Sequence, residues 1–110
     1  MFGNLFGAGG VAEVDVAEAK RRQDSGAVLV DVREPHEWQE GHARGARHIP
    51  LGELSRRSGE LRTDGEILLI CRSGNRSRTA AQLLQRTGFE RVVNVRGGIV
   101  AWMQHSLPLG

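Results

Sequence analysis

Four consecutive apolar residues, Ile67-Leu68-Leu69-Ile70, run straight into the chain's single cysteine and then into a polar, glycine-bearing stretch, Cys71-Arg72-Ser73-Gly74-Asn75-Arg76-Ser77. Such a run, with its abrupt end, reads as a buried strand closing in a tight loop. After Ser77 the pattern turns helical: Ala80, Leu83, Leu84 and Thr87 are spaced to share one face, and Gly88 stops the helix. A strand, a tight loop and a helix in this order leave loop N–H groups unpaired above the strand's carboxyl end and aim the helix N-terminus at the same spot. An anion placed there is stabilised, and Cys71 lies at the lip of that nest. Its thiolate is then favoured over the thiol, which makes it a nucleophile near neutrality. A lone cysteine at a strand end is more often an inert, small apolar residue. Two arginines, a glycine and two hydroxyls within the next six positions favour the reactive reading.

The remaining segments repeat the alternation. Val14 closes a short first strand, and Asp15-Val16-Ala17-Glu18 has the form of a capping box that opens a helix reaching about Gln23. Ala27 to Val32 is an apolar run interrupted only by Asp31, which suits a central parallel strand. A buried carboxylate there needs a partner, and Arg33 or nearby loop amides are the candidates. Glu34-Pro35 starts a short helix ended by Gly41, with Trp38 expected to pack under a loop. Ala46 to Ile49 is a short strand, and Pro50 opens a helical turn that points Leu51 and Leu54 inward. Arg91 to Val95 is a fifth strand, Gly97-Gly98 permit a close backbone approach beside the loop, and Ile99 to His105 form a last helix with an apolar stripe. The expectation is an α/β domain with a mostly parallel sheet, whose site lies at the strands' carboxyl ends.

At 110 residues the chain is one domain with no need of a disulfide, and a single cysteine can form none internally. This fits a reducing compartment, and the first ten residues have neither a basic start nor a long apolar run, so a cytoplasmic location without membrane insertion is expected. Residues 1–10 are read as a flexible arm and 11–110 as the domain. His36, His42, His48 and His105 match no metal-binding spacing, and no metal or cofactor is assigned. Residues 1–40 hold eight acids against four bases, while residues 71–110 hold six arginines against Glu90 alone. A basic catalytic half would draw in a small anion. Nucleic acid is discounted as the reason for fourteen arginines: the longest basic run is Lys20-Arg21-Arg22, and there is no tyrosine or interleaved aromatic to stack bases.

The segment Cys71 to Ser77 resembles the active-site loop of the single-domain rhodaneses, a family of thiosulfate sulfurtransferases. Val30-Asp31-Val32-Arg33-Glu34 resembles the family's first signature. Gly41-His42-Ala43-Arg44-Gly45-Ala46 with His48-Ile49-Pro50 resembles its second, and Gly97-Gly98-Ile99-Val100-Ala101-Trp102 its last. Arg44 stands where the family usually has proline, and Ser106 where it often has glycine. The resemblance implies a five-stranded sheet with helices on both faces and Cys71 as catalytic residue. It also implies a loop of Arg72, Ser73, Gly74, Asn75, Arg76 and Ser77 that binds the substrate, with Asp31 and Arg33 bracing from behind. Three functions are compared. A sulfurtransferase would pass sulfane sulfur from a small anionic donor such as thiosulfate, through a Cys71 persulfide, to cyanide, a thiol or a thioredoxin-like protein. A sulfur carrier would serve a protein acceptor. A cysteine-dependent phosphatase would need arginine six positions after the cysteine, where this chain has Ser77. A monomer is expected.

Overall fold

The computed structural model describes residues 5–6 and 10–110. Apart from Leu5, Phe6 and Gly10, the segment expected to be an arm lies outside the described residues. Five parallel strands form the sheet: β2 (Ala12–Val14), β3 (Val28–Asp31), β4 (Arg47–His48), β5 (Ile67–Ile70) and β6 (Val92–Val95). A two-residue strand, β1 (Leu5–Phe6), adds an antiparallel edge, so the spatial order is β1-β2-β6-β5-β3-β4.

Alternation along β5 explains why its four apolar residues sit at the centre. Ile67 and Leu69 point into one core with Leu54, Ala80 and Leu84, and Leu68 and Ile70 point into the other with Val16, Ala19, Ile99 and Trp102. The first core is covered by α3 (Leu54–Arg57) and α4 (Asn75–Arg86). The second is covered by α1 (Val16–Asp24) and α5 (Gly98–Gln104), which completes the expected sheet with helices on both faces. A short helix, α2 (Pro35–Gln39), follows β3. Among the described residues no helix is long and apolar enough to cross a membrane.

Several local expectations shift. The Asp15 carboxylate does cap α1 by accepting from the Glu18 N–H at 2.9 Å, but the Glu18 side chain turns to Arg21 and Arg22 instead of closing the box. Helix α4 begins at Asn75, not after Ser77, because Gly74 takes φ +117° and starts the helical turn at once. Its buried face is Ser77, Ala80, Ala81 and Leu84; Thr87 is exposed. Trp38 packs as expected, stacked between His42 at 3.6 Å and His48 at 4.8 Å between ring centres. Both departures from the family pattern have visible consequences. The Arg44 N–H donates to the Pro108 carbonyl at 3.0 Å, a bond proline could not make, and Ser106 holds the left-handed φ of +54° that glycine favours.

Candidate active site

Cys71 follows the last residue of β5 and is 1 % exposed. Three residues, Arg72 to Gly74, carry the chain over it into α4. Two donors reach its sulfur: the Gly74 N–H at 3.1 Å and the Ser77 hydroxyl at 3.3 Å. Burial by itself pushes the thiol pKa up. The Ser77 hydroxyl and the N–H groups of Ser77, Gly74 and Ser73 together outweigh it, and the thiol is held below its ordinary value. The nest read from the sequence is therefore present, with the sulfur on its floor and not at its lip.

The loop is fixed from beneath by the β6–α5 junction. The Ile99 N–H donates to the Cys71 carbonyl at 2.8 Å and the Val100 N–H to the Arg72 carbonyl at 3.2 Å. This approach requires glycine at 98: a Cβ there would lie 2.4 Å from the Arg72 carbonyl oxygen, and φ is +58°. The close backbone approach expected of Gly97-Gly98 is thus located directly under the loop.

The two loop arginines behave differently. Arg76 places both terminal nitrogens on the Glu37 carboxylate, at 2.7 and 2.9 Å, so its charge is met by an acid from outside the loop. Glu37 lies 39 residues away in sequence and is brought to α4 by the turn after β3. Arg76 holds the Glu37 carboxyl down at about 2; burial acts the other way and the Glu34 N–H adds to the lowering. Arg72 is exposed and, among the described residues, its guanidinium has no ion-pair partner. It borders a cavity of about 430 Å³ beside the loop, lined also by Arg33, Glu37, Glu40, Ile99, Val100 and Met103. Asn75 and Ser73 are exposed at the loop's rim, and Ser77 is buried against the sulfur.

Asp31 and Arg33 form a buried pair behind the site. The guanidinium reaches both carboxylate oxygens at 2.8–3.0 Å, the Arg33 N–H donates to Asp31 as well, and Arg33 goes on to the Gly41 carbonyl at 2.7 Å. Their side chains bond to each other and to the Gly41 carbonyl, and not to the Cys71 sulfur. They fix the backbone where β3 turns into α2, the helix that carries Glu37.

Sequence reasoning missed Asn94. It is wholly buried in β6, donates to Glu13 at 2.9 Å and to the Gly74 carbonyl at 3.1 Å, and accepts from Ser77 at 2.5 Å. The available signal was a lone amide in the otherwise apolar Val92–Val95, since a buried amide must find partners.

Known proteins share this fold. A solved rhodanese-related protein from Thermoplasma volcanium superposes with a TM-score of 0.82 at 31% identity, covering 89% of this chain and 96% of that one. A thiosulfate sulfurtransferase, GlpE of Vibrio cholerae, is 36% identical over 97 residues, 88% of this chain and 91% of that protein. YrkF of Bacillus subtilis, named as a proposed sulfur carrier protein, is 40% identical over 97 residues, and this chain spans about half of its length, 52%. Residues 15–105, from the cap of α1 to the end of α5, match the family described as rhodanese-like domain. With most of its length matched to that family, and relatives named as sulfurtransferases, the chain belongs to the rhodanese-like domain family.

Proposed function

We propose that this protein moves sulfane sulfur from thiosulfate, or a closely related dianion, through a persulfide on Cys71. The observation that carries the reading is the convergence of Ser77 and the loop N–H groups on one buried sulfur whose pKa they lower. The Cys71 thiolate attacks the outer sulfur of thiosulfate. A bond forms between Sγ and that sulfur, the donor's S–S bond breaks, and the electron pair leaves with sulfite. Cyanide or a thiolate then attacks the terminal sulfur and releases Sγ as thiolate, which restores the starting charge. Loop amides stabilise the persulfide anion, and Arg72 at the mouth attracts the donor and steadies departing sulfite. A single cysteine working through thiolate and persulfide suits a reducing compartment such as the cytoplasm.

Delivery to a protein acceptor is the second reading, favoured by the likeness to YrkF. Phosphatase chemistry is disfavoured: Ser77 occupies the position that would need arginine, and Arg76 is engaged by Glu37.

One experiment separates the three. Cys71→Ser and the wild type are assayed for thiocyanate formation from thiosulfate and cyanide, for nitrophenyl phosphate hydrolysis, and by mass for a gain of one sulfur. The expected outcome is wild-type thiocyanate formation and a Cys71-dependent sulfur adduct, both absent in Cys71→Ser, with negligible phosphate release. Thiocyanate formation near wild type in Cys71→Ser defeats the assignment. A stable adduct without turnover to cyanide favours the carrier.

A further inference from the structure

Asn94 has four hydrogen-bonding positions to satisfy in a site closed to water. Its Nδ2 faces two groups that can only accept, the Glu13 carboxylate and the Gly74 carbonyl, which fixes the orientation of the amide. Oδ1 is therefore left against the Ser77 hydroxyl, at 2.5 Å. That hydroxyl has a single proton and two acceptors within reach, Asn94 Oδ1 and, at 3.3 Å, Cys71 Sγ. It can donate to only one of them at a time.

We propose that Asn94 is a positioning residue for sulfur transfer: held by Glu13 and Gly74, its carbonyl competes with the Cys71 sulfur for the Ser77 proton, so the hydroxyl turns to the sulfur only while the sulfur carries charge. The inference rests on the reading of Cys71 as the sulfur-carrying nucleophile. With Sγ as thiolate, a charge-assisted bond is stronger than the neutral one to the amide, and the hydroxyl points at sulfur. Once Sγ is bonded to the transferred sulfur, the negative charge sits on the terminal atom, Sγ is a poor acceptor, and the hydroxyl returns to Asn94. No proton leaves Ser77; only the O–H direction changes. The waiting acceptor limits how far Ser77 can stabilise the thiolate. This matters because nucleophilicity falls as a thiol's pKa falls, so an over-stabilised thiolate is a slower attacker.

The charged groups around the cluster include Glu13 from β2, Arg76 with its partner Glu37 of α2, Arg78 from α4, Arg72 from the loop and Arg96 at the end of β6; α5 carries none. Arg78 also reaches Glu13, at 3.2 Å, so the acid that orients Asn94 is itself held from α4. A field effect of any of these on the thiolate acts with or without the Ser77 hydroxyl. The competition acts only through it.

That difference sets the test. The pH dependence of iodoacetamide alkylation gives the Cys71 pKa in the wild type, Ser77→Ala, Asn94→Ala and the double variant, with melting curves to confirm folding. Ser77→Ala raises the pKa. Asn94→Ala, which frees the hydroxyl for sulfur, lowers it by about 0.5 to 1 pH unit, the range of one neutral hydrogen bond. The double variant matches Ser77→Ala alone. An unchanged or raised pKa in Asn94→Ala, or a shift of full size that persists without Ser77, overturns the proposal. If Asn94→Ala does not fold, Glu13→Ala replaces it. Loosening the amide then lowers the pKa by an amount that mostly disappears in the Ser77→Ala background, and a shift retained in full there counts against the proposal. Alkylation needs no sulfur donor, so the result stands apart from whether thiosulfate is the substrate.

Discussion

Glu37 shows what one contact across 39 residues does to both stability and charge. Its carboxyl is held at about 2, against an ordinary 4.5, chiefly by Arg76. A carboxyl whose folded pKa lies below its unfolded one stabilises the fold fully above about pH 4.5, and that stabilisation is lost as pH falls from there toward 2. The guanidinium is more than a third exposed, so the contribution is on the order of 1–2 kcal/mol, well under what the shift alone implies. The expected outcome is a Tm that drops more steeply between pH 5 and pH 2.5 in the wild type than in Glu37→Gln, with the two curves converging at the acid end. Parallel curves would show that the pair adds nothing to stability. The Arg76–Glu37 pair was not legible in the sequence, because it depends on where α2 docks. Cys71 was legible for the opposite reason: strand, loop and helix are adjacent in the chain, so their geometry follows from local pattern. Asn94 was not, since its partners come from two segments far from it in the chain, Glu13 in β2 and Gly74 with Ser77 at the start of α4.

Among the elements, the junction of β6 and α5 decides whether the loop keeps its shape. The atoms that a Cβ on Gly98 would meet are the Arg72 and Cys71 carbonyl groups, backbone atoms that cannot swing aside, and the left-handed φ adds strain of its own. Gly98→Ala is expected to cost about 2–4 kcal/mol and to disturb the N–H groups around Cys71. Its Tm should fall and its Cys71 alkylation at pH 7 should slow together. Gly52→Ala is the control, because no atom lies within 4 Å of a Cβ there and its φ is not in the left-handed range. A Gly98→Ala protein with wild-type melting and alkylation would mean that the junction does not support the loop. The glycine pair was readable in sequence as a close approach. The start of α4 was not: Asn75, Arg76 and Ser77 are polar, and hydrophobic periodicity is silent at a helix's first turn, where caps and loop contacts decide.

At the scale of the whole molecule, folding neutralises part of the charge imbalance between the two ends of the sequence. The sheet order sets β6 and β5 between β2 and β3, and arginines from the later segment meet acids from the earlier one: Arg76 meets Glu37, and Arg78 meets Glu13. Of the two arginines that line the cavity, Arg33 is paired with Asp31, and Arg72 has no acid partner among the described residues. Steering of a dianion should therefore trace to Arg72. Losing a charge-assisted hydrogen bond costs about 1.5–3 kcal/mol, so Arg72→Ala should lower kcat/KM for thiosulfate by roughly tenfold to a hundredfold. It should also flatten the decline of kcat/KM between low and high salt, over which the Debye length shrinks from about 30 Å at 0.01 M to 3 Å at 1 M. Arg76→Ala acts by another route. It lowers Tm and leaves the Glu37 carboxylate uncompensated beside the cavity, where it repels the donor. Replacing that carboxylate in Arg76→Ala/Glu37→Gln should then restore much of the lost kcat/KM, whereas Glu37→Gln should restore nothing to Arg72→Ala. Steady-state kinetics at two ionic strengths on these four variants and the wild type measure both effects. A salt slope in Arg72→Ala equal to the wild type's would remove Arg72 from substrate capture, and failure of Glu37→Gln to help Arg76→Ala would mean that Arg76 touches the donor directly.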